Sequence, residues 1–267
     1  MKIYDHNIWG NFSKENCIAN RNSLIKELID DCNPDVCCLQ ECNPHTSRVA
    51  EFAIPDILSP DFVEVVPEYA DKNYTPMLYN QNTTELIEGG YMPYEGLNDG
   101  NSKSITWAAF KDKATDKVYC VASTHFWYKA SGKEDEEQRI ANAEAAVCIL
   151  KNFYEKYNAP VFLAGDLNSS SIVTGQGTGG YDRLIELGMT DVREIAENTD
   201  YSYTCSKGVP VLVDGIYTKA PDPNFTLDYI FVLGKDLIKA KNFSVINSDK
   251  ARTSSDHSPL VFDFDIL

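Results

Sequence analysis

Short apolar segments with the character of β-strands recur along the whole chain, and only a few helical patterns interrupt them. Residues 2–8, Val36–Gln40, Pro160–Ala164 and Leu227–Leu233 are such segments. Some are apolar throughout and others alternate apolar with polar residues, which predicts strands buried on both faces and strands buried on one. This mixture predicts a four-layer α/β sandwich, in which two mixed β-sheets pack face to face between helices.

The rest of the chain continues this alternation. Ser13 is expected to cap a helix that carries Ile25 and Ile29 on one face, and Gly132–Tyr157 has apolar residues at helical spacing. The acidic run 134–137 lies in the first turn of that helix, where we interpret it as a solvated helix start. Further strands are predicted at Phe62–Val66, Met77–Tyr79, Leu86–Ile87, Ile105–Phe110, Val118–Ser123 and Leu260–Phe264, and a further helix near Tyr181–Leu187. No repeat or linker is evident, so residues 1–267 are predicted to form one domain.

The charge of the chain limits its partners. Its 267 residues include 40 acidic and 24 basic ones, a net charge of −16. Tight binding to nucleic acid needs clustered Lys and Arg, and an anionic membrane repels such a surface, so nucleic acid is disfavoured and no stable membrane association is expected. No apolar run approaches the roughly 20 residues of a membrane span. The first residues lack the apolar core of a secretory signal, so we expect a cytoplasmic protein, and a secreted one only if a signal had been removed.

Eight cysteines are distributed without zinc-site spacing. They are Cys17, Cys32, Cys37, Cys38, Cys42, Cys120, Cys148 and Cys205, and none forms a Cys-x2-Cys pair. We interpret them as buried free thiols that act as small hydrophobic residues, which favours a reducing cytoplasm.

Polar residues capable of chemistry stand at the ends of apolar segments. The segments are Asn7-Ile8-Trp9, Leu39-Gln40-Glu41, Ser123-Thr124-His125, Gly165-Asp166-Leu167-Asn168, Leu227-Asp228-Tyr229 and Ser255-Asp256-His257. Each alone is weak, because a polar residue at a strand end is more often a turn or cap residue. Together they supply carboxylate and amide oxygens, which suit a hard cation such as Mg²⁺ or Mn²⁺. No three His or Cys residues converge at zinc-like spacing.

In this order, N-x-W, Q-E, T-H, G-D-x-N, L-D-Y and S-D-H resemble the endonuclease/exonuclease/phosphatase superfamily, whose members include DNase I. The matches run from Asn7 to His257. The resemblance implies the DNase I-like four-layer sandwich and a divalent-metal-dependent phosphoesterase that uses Mg²⁺ or Mn²⁺. One position departs from the pattern of some nuclease members, because Trp9 stands where they carry an aspartate, and this weakens the analogy to apurinic endonucleases.

The resemblance also implies a role for each matched residue. Glu41 would be the main metal ligand, Asn7 would help hold the metal or the phosphate, and Asp256 would complete the metal shell. Asp166 would orient or deprotonate the attacking water, and either Asp166 or His257 would be the base. The residues that would contact or polarise the phosphate are His125, Asn168 and His257, with Asp228 fixing and charging His257.

Three classes of phosphate ester remain open. The chain length and low basicity favour a small soluble ester of the sugar- or inositol-phosphate type. The alternatives are an endo- or exonuclease acting on DNA or RNA, and a sphingomyelinase-like phosphodiesterase whose aromatic residues Phe126–Tyr128 would contact lipid. A non-catalytic binding module is disfavoured because every family carboxylate has a match. The sequence does not define the oligomeric state.

Overall fold

The computed structural model describes residues 1–10, 21–44, 60–172 and 175–267. Within these ranges the α-helices are α1 (Asn22–Cys32), α2 (Lys133–Tyr157), α3 (Gly179–Glu186) and α4 (Asp249–Ser254). The strands are β1 (Lys2–Asn7), β2 (Val36–Gln40), β3 (Phe62–Glu64), β4 (Met77–Asn80), β5 (Thr84–Pro93), β6 (Ser104–Asp112), β7 (Val118–His125), β8 (Val161–Asp166), β9 (Thr190–Asp191), β10 (Asn198–Thr199), β11 (Leu212–Val213), β12 (Ile216–Tyr217), β13 (Asp228–Leu233), β14 (Ile238–Val245) and β15 (Leu260–Ile266). The predicted cap Ser13 and the cysteine Cys17 lie outside the described residues.

Two mixed sheets form the centre of the molecule. One has seven strands in the order β10-β14-β15-β1-β2-β4-β3, and the other has six in the order β5-β6-β7-β8-β13-β9. The pairs β1–β2 and β7–β8 are parallel, whereas β13 runs antiparallel to β8. A small separate hairpin pairs β11 with β12.

Aromatic and aliphatic side chains fill the space between the sheets. Phe162 and Ile230 from the six-stranded sheet pack in one buried cluster with Ile3 and Phe262 from the seven-stranded sheet, and the rings of Phe162 and Phe262 lie 6.0 Å apart. Burial of apolar area on this scale is the main term that holds two sheets together. The packing of these core side chains therefore sets how the two sheets are aligned.

Helices cover the outer face of each sheet. Ala143 and Val147 of α2 pack with Leu163 and Phe231 of the six-stranded sheet. On the other side, Ile25 and Ile29 of α1 join Tyr4 and Leu39 in a third cluster. Cys37 and Cys38 illustrate the alternation in β2, since Cys37 faces α1 and Cys38 faces the other sheet. The predicted four-layer α/β sandwich is confirmed.

Two local predictions need correction, and the sequence analysis omitted one long strand. Asp135, expected in a solvated acidic turn, is buried and accepts a hydrogen bond from the Trp127 indole Nε1 at 2.6 Å. Two cysteines expected to be buried are not, since Cys148 is exposed on α2 and Cys32 is half-buried at the end of α1. Strand β14 was missed because a β-bulge between Ala240 and Asn242 shifts the phase of its apolar residues, so that no regular alternation spans the strand.

The cysteines of the described ranges are all free thiols. In these same ranges, no helix has both the length and the hydropathy needed to cross a membrane.

Candidate active site

The sheet topology brings the predicted residues to one end of the sandwich. Because β7 and β8 are parallel, His125 pairs in register with Asp166 at their carboxyl ends. Strand β13 begins at Asp228, and its antiparallel pairing places that residue opposite Asp166 as well. In the other sheet Asn7 pairs with Gln40, so Glu41, the next residue after Gln40, lies near Asn7. The polar ends of both sheets therefore meet across the core.

The side chain of Asn7 links the two sheets. Its Nδ2 donates to Asp166 Oδ2 at 3.0 Å and lies 3.3 Å from Glu41 Oε1. The backbone amide of Trp9 donates to Asn7 Oδ1, and that of Gly10 donates to Glu41 Oε2, each at 3.1 Å. These bonds fix the orientation of the amide and of the Glu41 carboxylate.

Three non-glycine residues of this end have left-handed backbone conformations. The φ angles are 50° at Trp9, 56° at Glu41 and 45° at Asn168, and each residue stands just past the end of a strand. Such conformations cost free energy and concentrate at functional sites. Here they turn the chain sharply where polar side chains must face the space between the sheets.

His257 and Asp228 form a buried pair. Nδ1 of His257 lies 2.9 Å from both carboxylate oxygens of Asp228, and the Thr204 hydroxyl donates to Oδ2 of the same carboxylate at 2.6 Å. Burial by itself would lower the pKa of His257, but the negative charge of Asp228 outweighs it and holds this pKa well above its usual value. The imidazole is therefore protonated, and its Nε2 faces away from Asp228.

Asp166 is surrounded by donors. Besides the Asn7 amide, it accepts a bond from the backbone of Asn168 at 2.8 Å, and its Oδ2 lies 3.3 Å from His125 Nε2 and 3.9 Å from His257 Nε2. Burial would raise the pKa of Asp166, but the contact with His125, the charge of His257 and the bond from Asn168 lower it below its usual range. Asp166 is consequently a carboxylate at neutral pH.

Lys103 is a residue of this cavity that the sequence analysis did not single out. Its Nζ is buried and lies 2.8 Å from His125 Nε2, which Asn168 Nδ2 also approaches to 3.0 Å. Burial lowers the pKa of Lys103 to about 8. The pKa of His125 is lowered by burial and by the charge of Lys103, so His125 is a neutral imidazole beside an ammonium group.

Asp256 lies on the segment that leads into β15. The hydroxyl of its neighbour Ser255 donates to the Asn7 carbonyl at 2.7 Å, which ties this segment to the end of β1. Burial raises the pKa of Asp256 to about 6, and the charge of Glu41 adds to the rise against the opposing effect of His257.

A cavity of about 550 Å³ opens at this end of the sandwich. It is lined by Glu41, Asn43, Tyr74, Asp99, Ser102, Lys103, His125, Tyr128, Asp166, Asn168, Gln176 and His257. Of the predicted residues, Asn7, Asp228 and Asp256 are not in the lining. Phe126 and Trp127 are buried, and Tyr128 alone of that run lines the cavity.

The acidic side of the site has the donor chemistry of a hard cation. Asp166, Asp228 and His257 offer ligand atoms within 4.8 Å of one another, but Asp228 and His257 already satisfy each other. Besides burial, the negative charge of Glu41 raises the pKa of Asp256, so the two carboxylates repel. A divalent cation with oxygen ligands would offset that repulsion, so these residues fit such an ion.

The comparisons with known proteins agree with this geometry. The family model described as "Endonuclease/Exonuclease/phosphatase family" matches residues 6–257. The chain belongs to this family, whose members are hydrolases that act on phosphate esters and typically depend on divalent metals. The predicted family membership is confirmed.

Solved structures share the fold at low sequence identity. The mannosyl-6-phosphatase of Bacteroides thetaiotaomicron matches with 18% identity and a TM-score of 0.74, over 100% of both chains. The catalytic domain of human Nocturnin with bound sulfate matches with 17% identity and a TM-score of 0.71, over 100% of this chain and 93% of that one. TDP2 of D. rerio in complex with a single-strand DNA product matches with 17% identity and a TM-score of 0.67, over 99% and 98%. Among curated proteins, none is significantly similar in sequence to this chain.

Proposed function

We propose that this protein hydrolyses the phosphate ester of a small soluble substrate of the sugar- or inositol-phosphate type. The observation that carries the proposal is the cavity of about 550 Å³, whose lining includes the Glu41 carboxylate together with the N–H donors of Lys103 and Asn168. Its volume is within the range of small-molecule sites, roughly 300–1,000 Å³. The likeness to a mannosyl-6-phosphatase supports the same substrate class.

We propose Glu41 as the main ligand of a Mg²⁺ or Mn²⁺ ion, with Asn7 and Asp256 beside it. When bound, the cation would offset charge on the phosphoryl oxygens and lower the pKa of coordinated water. The protein already orients Glu41, because the Gly10 amide donates to Oε2 and the Asn7 Nδ2 donates to Oε1.

Asp166 is proposed to orient the attacking water and to take its proton. It is ionised, and the donors around it leave its carboxylate fixed in position. His257 is protonated, so it suits the role of donor to a phosphoryl oxygen better than that of base. Asp228 is the positioning residue that holds His257 and keeps it charged.

Three further groups are proposed to bind the phosphate. The Lys103 ammonium and the Asn168 amide lie 2.8 and 3.0 Å from Nε2 of the His125 imidazole, which accepts from them and holds these two donors side by side. Donors gathered in this way stabilise the charge that develops on phosphoryl oxygens in the transition state. Lys103 adds a full positive charge at neutral pH.

A cytoplasmic setting is proposed from the cysteines. All seven in the described ranges are free thiols, and thiols persist in a reducing compartment.

A lipid phosphodiester is the second candidate substrate. The β11–β12 hairpin turns at Asp214-Gly215 and exposes Val211, Val213 and Ile216 to solvent, the last with 74% of its surface accessible. Contiguous exposed apolar side chains mark interaction sites. The hairpin adjoins the active site, because the Tyr217 ring packs edge-on against Trp9 at 6.2 Å.

A nuclease is a weaker alternative. One neighbour in fold holds a DNA product, but this chain carries a net charge of −16, and Lys103 is the one lysine or arginine among the described residues that line the cavity. Phosphate backbones are bound through several basic side chains.

Hydrolysis of p-nitrophenyl phosphate and of bis-(p-nitrophenyl) phosphate with Mg²⁺ or Mn²⁺ separates these classes. We expect the monoester to be cleaved faster, and Asp166→Asn or His257→Ala to lower kcat by at least roughly 10²–10³-fold with the fold intact. Faster diester cleavage would favour the two alternatives. Cleavage of sphingomyelin in neutral phospholipid vesicles, weakened by Ile216→Asp, would then indicate the lipid phosphodiesterase, and cleavage of DNA or RNA would indicate the nuclease. Turnover near wild type in Asp166→Asn would contradict the assignment.

A further inference from the structure

Half of the described residues that line the cavity have no part in the proposed chemistry. They are Asn43, Tyr74, Asp99, Ser102, Tyr128 and Gln176. Asp99 is the one charged residue of these six. A substrate has to place the alcohol part of its ester somewhere in the same cavity, so these residues are the candidates for contact with it.

A continuous run of contacts leads from the proposed phosphate donors to Asp99. The Nζ of Lys103 lies 2.8 Å from Nε2 of His125 and 5.1 Å from the centre of the Tyr128 ring. The Tyr128 hydroxyl in turn donates to Asp99 Oδ2 at 2.8 Å. An ester group that extends along this wall from a phosphate at Lys103 therefore meets first the tyrosine ring and then the Asp99 carboxylate.

The Asp99 carboxylate is held in place and still has acceptor capacity. Its Oδ2 accepts from Tyr128, and Lys129 Nζ lies 3.8 Å from the same oxygen. None of the described residues donates a hydrogen bond to Oδ1. An ionised carboxylate accepts about four hydrogen bonds, so Asp99 can accept from hydroxyl groups of a ligand. The half-buried Tyr128 ring adds an apolar surface for the C–H groups of the same ligand.

The charge of Asp99 also limits what the ligand can carry. A second phosphate beside Asp99 would place two negative groups together, which an interface penalises strongly. Lys103 is the one basic residue in the described lining, and it is proposed to bind the phosphate that is cleaved. Lys129 is exposed and outside the lining, where solvent weakens its attraction for an anion.

We propose that Asp99 and Tyr128 form the subsite for the alcohol part of the substrate. The subsite selects the monophosphate of an uncharged, polyhydroxylated ring, whose hydroxyls donate to Asp99, and discriminates against an ester that carries a second phosphate. Sugar monophosphates are thereby favoured over sugar bisphosphates and polyphosphorylated inositols. This inference rests on the proposed function, because it takes the phosphate to be bound at Lys103.

Calorimetric titration tests the subsite without turnover. In Asp166→Asn with Mg²⁺ the ligand stays intact, so this variant serves as the background. We expect glucose 6-phosphate or mannose 6-phosphate to bind at least about tenfold more tightly than the corresponding 1,6-bisphosphate. Bisphosphates that bind as tightly as the monophosphates, or a background protein that binds neither monophosphate, would overturn the proposal.

The double variant Asp166→Asn/Asp99→Asn should change the two ligand classes in opposite directions. The monophosphate should bind about tenfold more weakly, as hydrogen bonds to a charged group are lost, and the bisphosphate more tightly, as the repulsion is removed. A structural defect would weaken both. Asp236→Asn, at an exposed residue outside the cavity lining, is the matched control in the same background and should change neither. Affinities that fall together in the Asp99→Asn protein would refute the subsite.

Tyr128 is tested by two variants in the same background. Tyr128→Phe keeps the ring and removes the hydroxyl that orients Asp99, whereas Tyr128→Ala also removes the apolar surface. We expect Tyr128→Ala to weaken monophosphate binding more than Tyr128→Phe, with unfolding midpoints near that of the background. Unchanged affinity in Tyr128→Ala would remove this residue from the subsite.

Turnover by proteins with Asp166 intact distinguishes failure of the subsite from failure of the proposed function. If the wild type cleaves sugar monophosphates but Asp99→Asn lowers kcat/KM for monophosphate and bisphosphate alike, the subsite is wrong and the proposed function stands. If the wild type cleaves no monoester while the titrations show the expected opposite shifts, the subsite stands and the proposed function is wrong.

Discussion

The ammonium group of Lys103 lies 2.8 Å from Nε2 of His125, and both side chains are buried. Burial and the charge of the lysine lower the pKa of the histidine, so the pair carries one positive charge at the cavity, and that charge is on Lys103. The imidazole remains neutral beside it. An anionic group that enters the cavity would therefore be attracted to the Lys103 ammonium and not to the imidazole.

The pKa of Lys103, about 8, predicts a pH dependence of substrate binding. The lysine is charged below pH 8 and neutral above it, so KM should rise between pH 7 and pH 9, by about tenfold, as a charged hydrogen bond worth roughly 1.5–3 kcal/mol is lost. Lys103→Arg should flatten this rise, because its guanidinium stays charged. Initial rates across the pH range check the prediction, and an unchanged rise in Lys103→Arg would refute it.

Asp228→Asn should separate the charge of His257 from its position. The amide can still contact Nδ1 but no longer supplies a negative charge, so the pKa of His257 should fall and kcat should drop by roughly 10²-fold. NMR titration of the imidazole and steady-state kinetics measure the two effects. An imidazole that still titrates well above its usual range would contradict the role given to Asp228.

Glu41→Gln should abolish stabilisation by Mg²⁺. A ligand that binds only the folded state stabilises it, by about 2.7 kcal/mol at roughly 100 times its Kd, so Mg²⁺ should raise the melting temperature of the wild type and EDTA should reverse the change. Glu68→Gln, at an exposed residue outside the cavity lining, is the matched control and should behave as wild type. An equal Mg²⁺ response in Glu41→Gln would place the ion elsewhere.

Gly165→Ala should destabilise the six-stranded sheet. Gly165 has φ +150°, and an added Cβ would lie 2.0 Å from the Thr124 carbonyl oxygen on β7. Backbone strain and overpacking together should cost at least roughly 2 kcal/mol. Chemical denaturation measures the loss, with Gly132→Ala, where a Cβ meets open space, as the control. Equal stability of the two variants would show that the sheet can adjust.

The strands that carry the site could be predicted because their polar ends are local. Val36–Gln40 is buried in full and delivers Glu41 just as its composition indicates, and the order of the motifs placed Asp166 and His257 together. Ile25 and Ile29 likewise report the buried face of α1 through their spacing alone. Such features depend on residues within a few positions of one another.

Lys103 could not be predicted in the same way. It is brought to His125 by the antiparallel register of β6 with β7, in which Ile105 pairs with Thr124. A lysine before a strand is ordinary, and only this register makes it a cavity residue. The contact between Cys205 and His257 could not be predicted either, because it depends on a β-bridge between segments that are distant in sequence.

The hydrogen bond from Asn7 to Asp166 joins the two sheets of the sandwich. The residues proposed to hold the cation lie on the seven-stranded sheet, while Asp166, the proposed proton acceptor, lies on the six-stranded sheet. A shift of one sheet relative to the other by about 1 Å would misplace the reacting atoms enough to cost roughly 10²-fold in rate. Such a shift is much smaller than the separation of the sheets on unfolding. Catalytic activity would thus depend on the packing of Phe162 against Phe262 between the sheets, and it would be lost on mild warming while the chain is still folded.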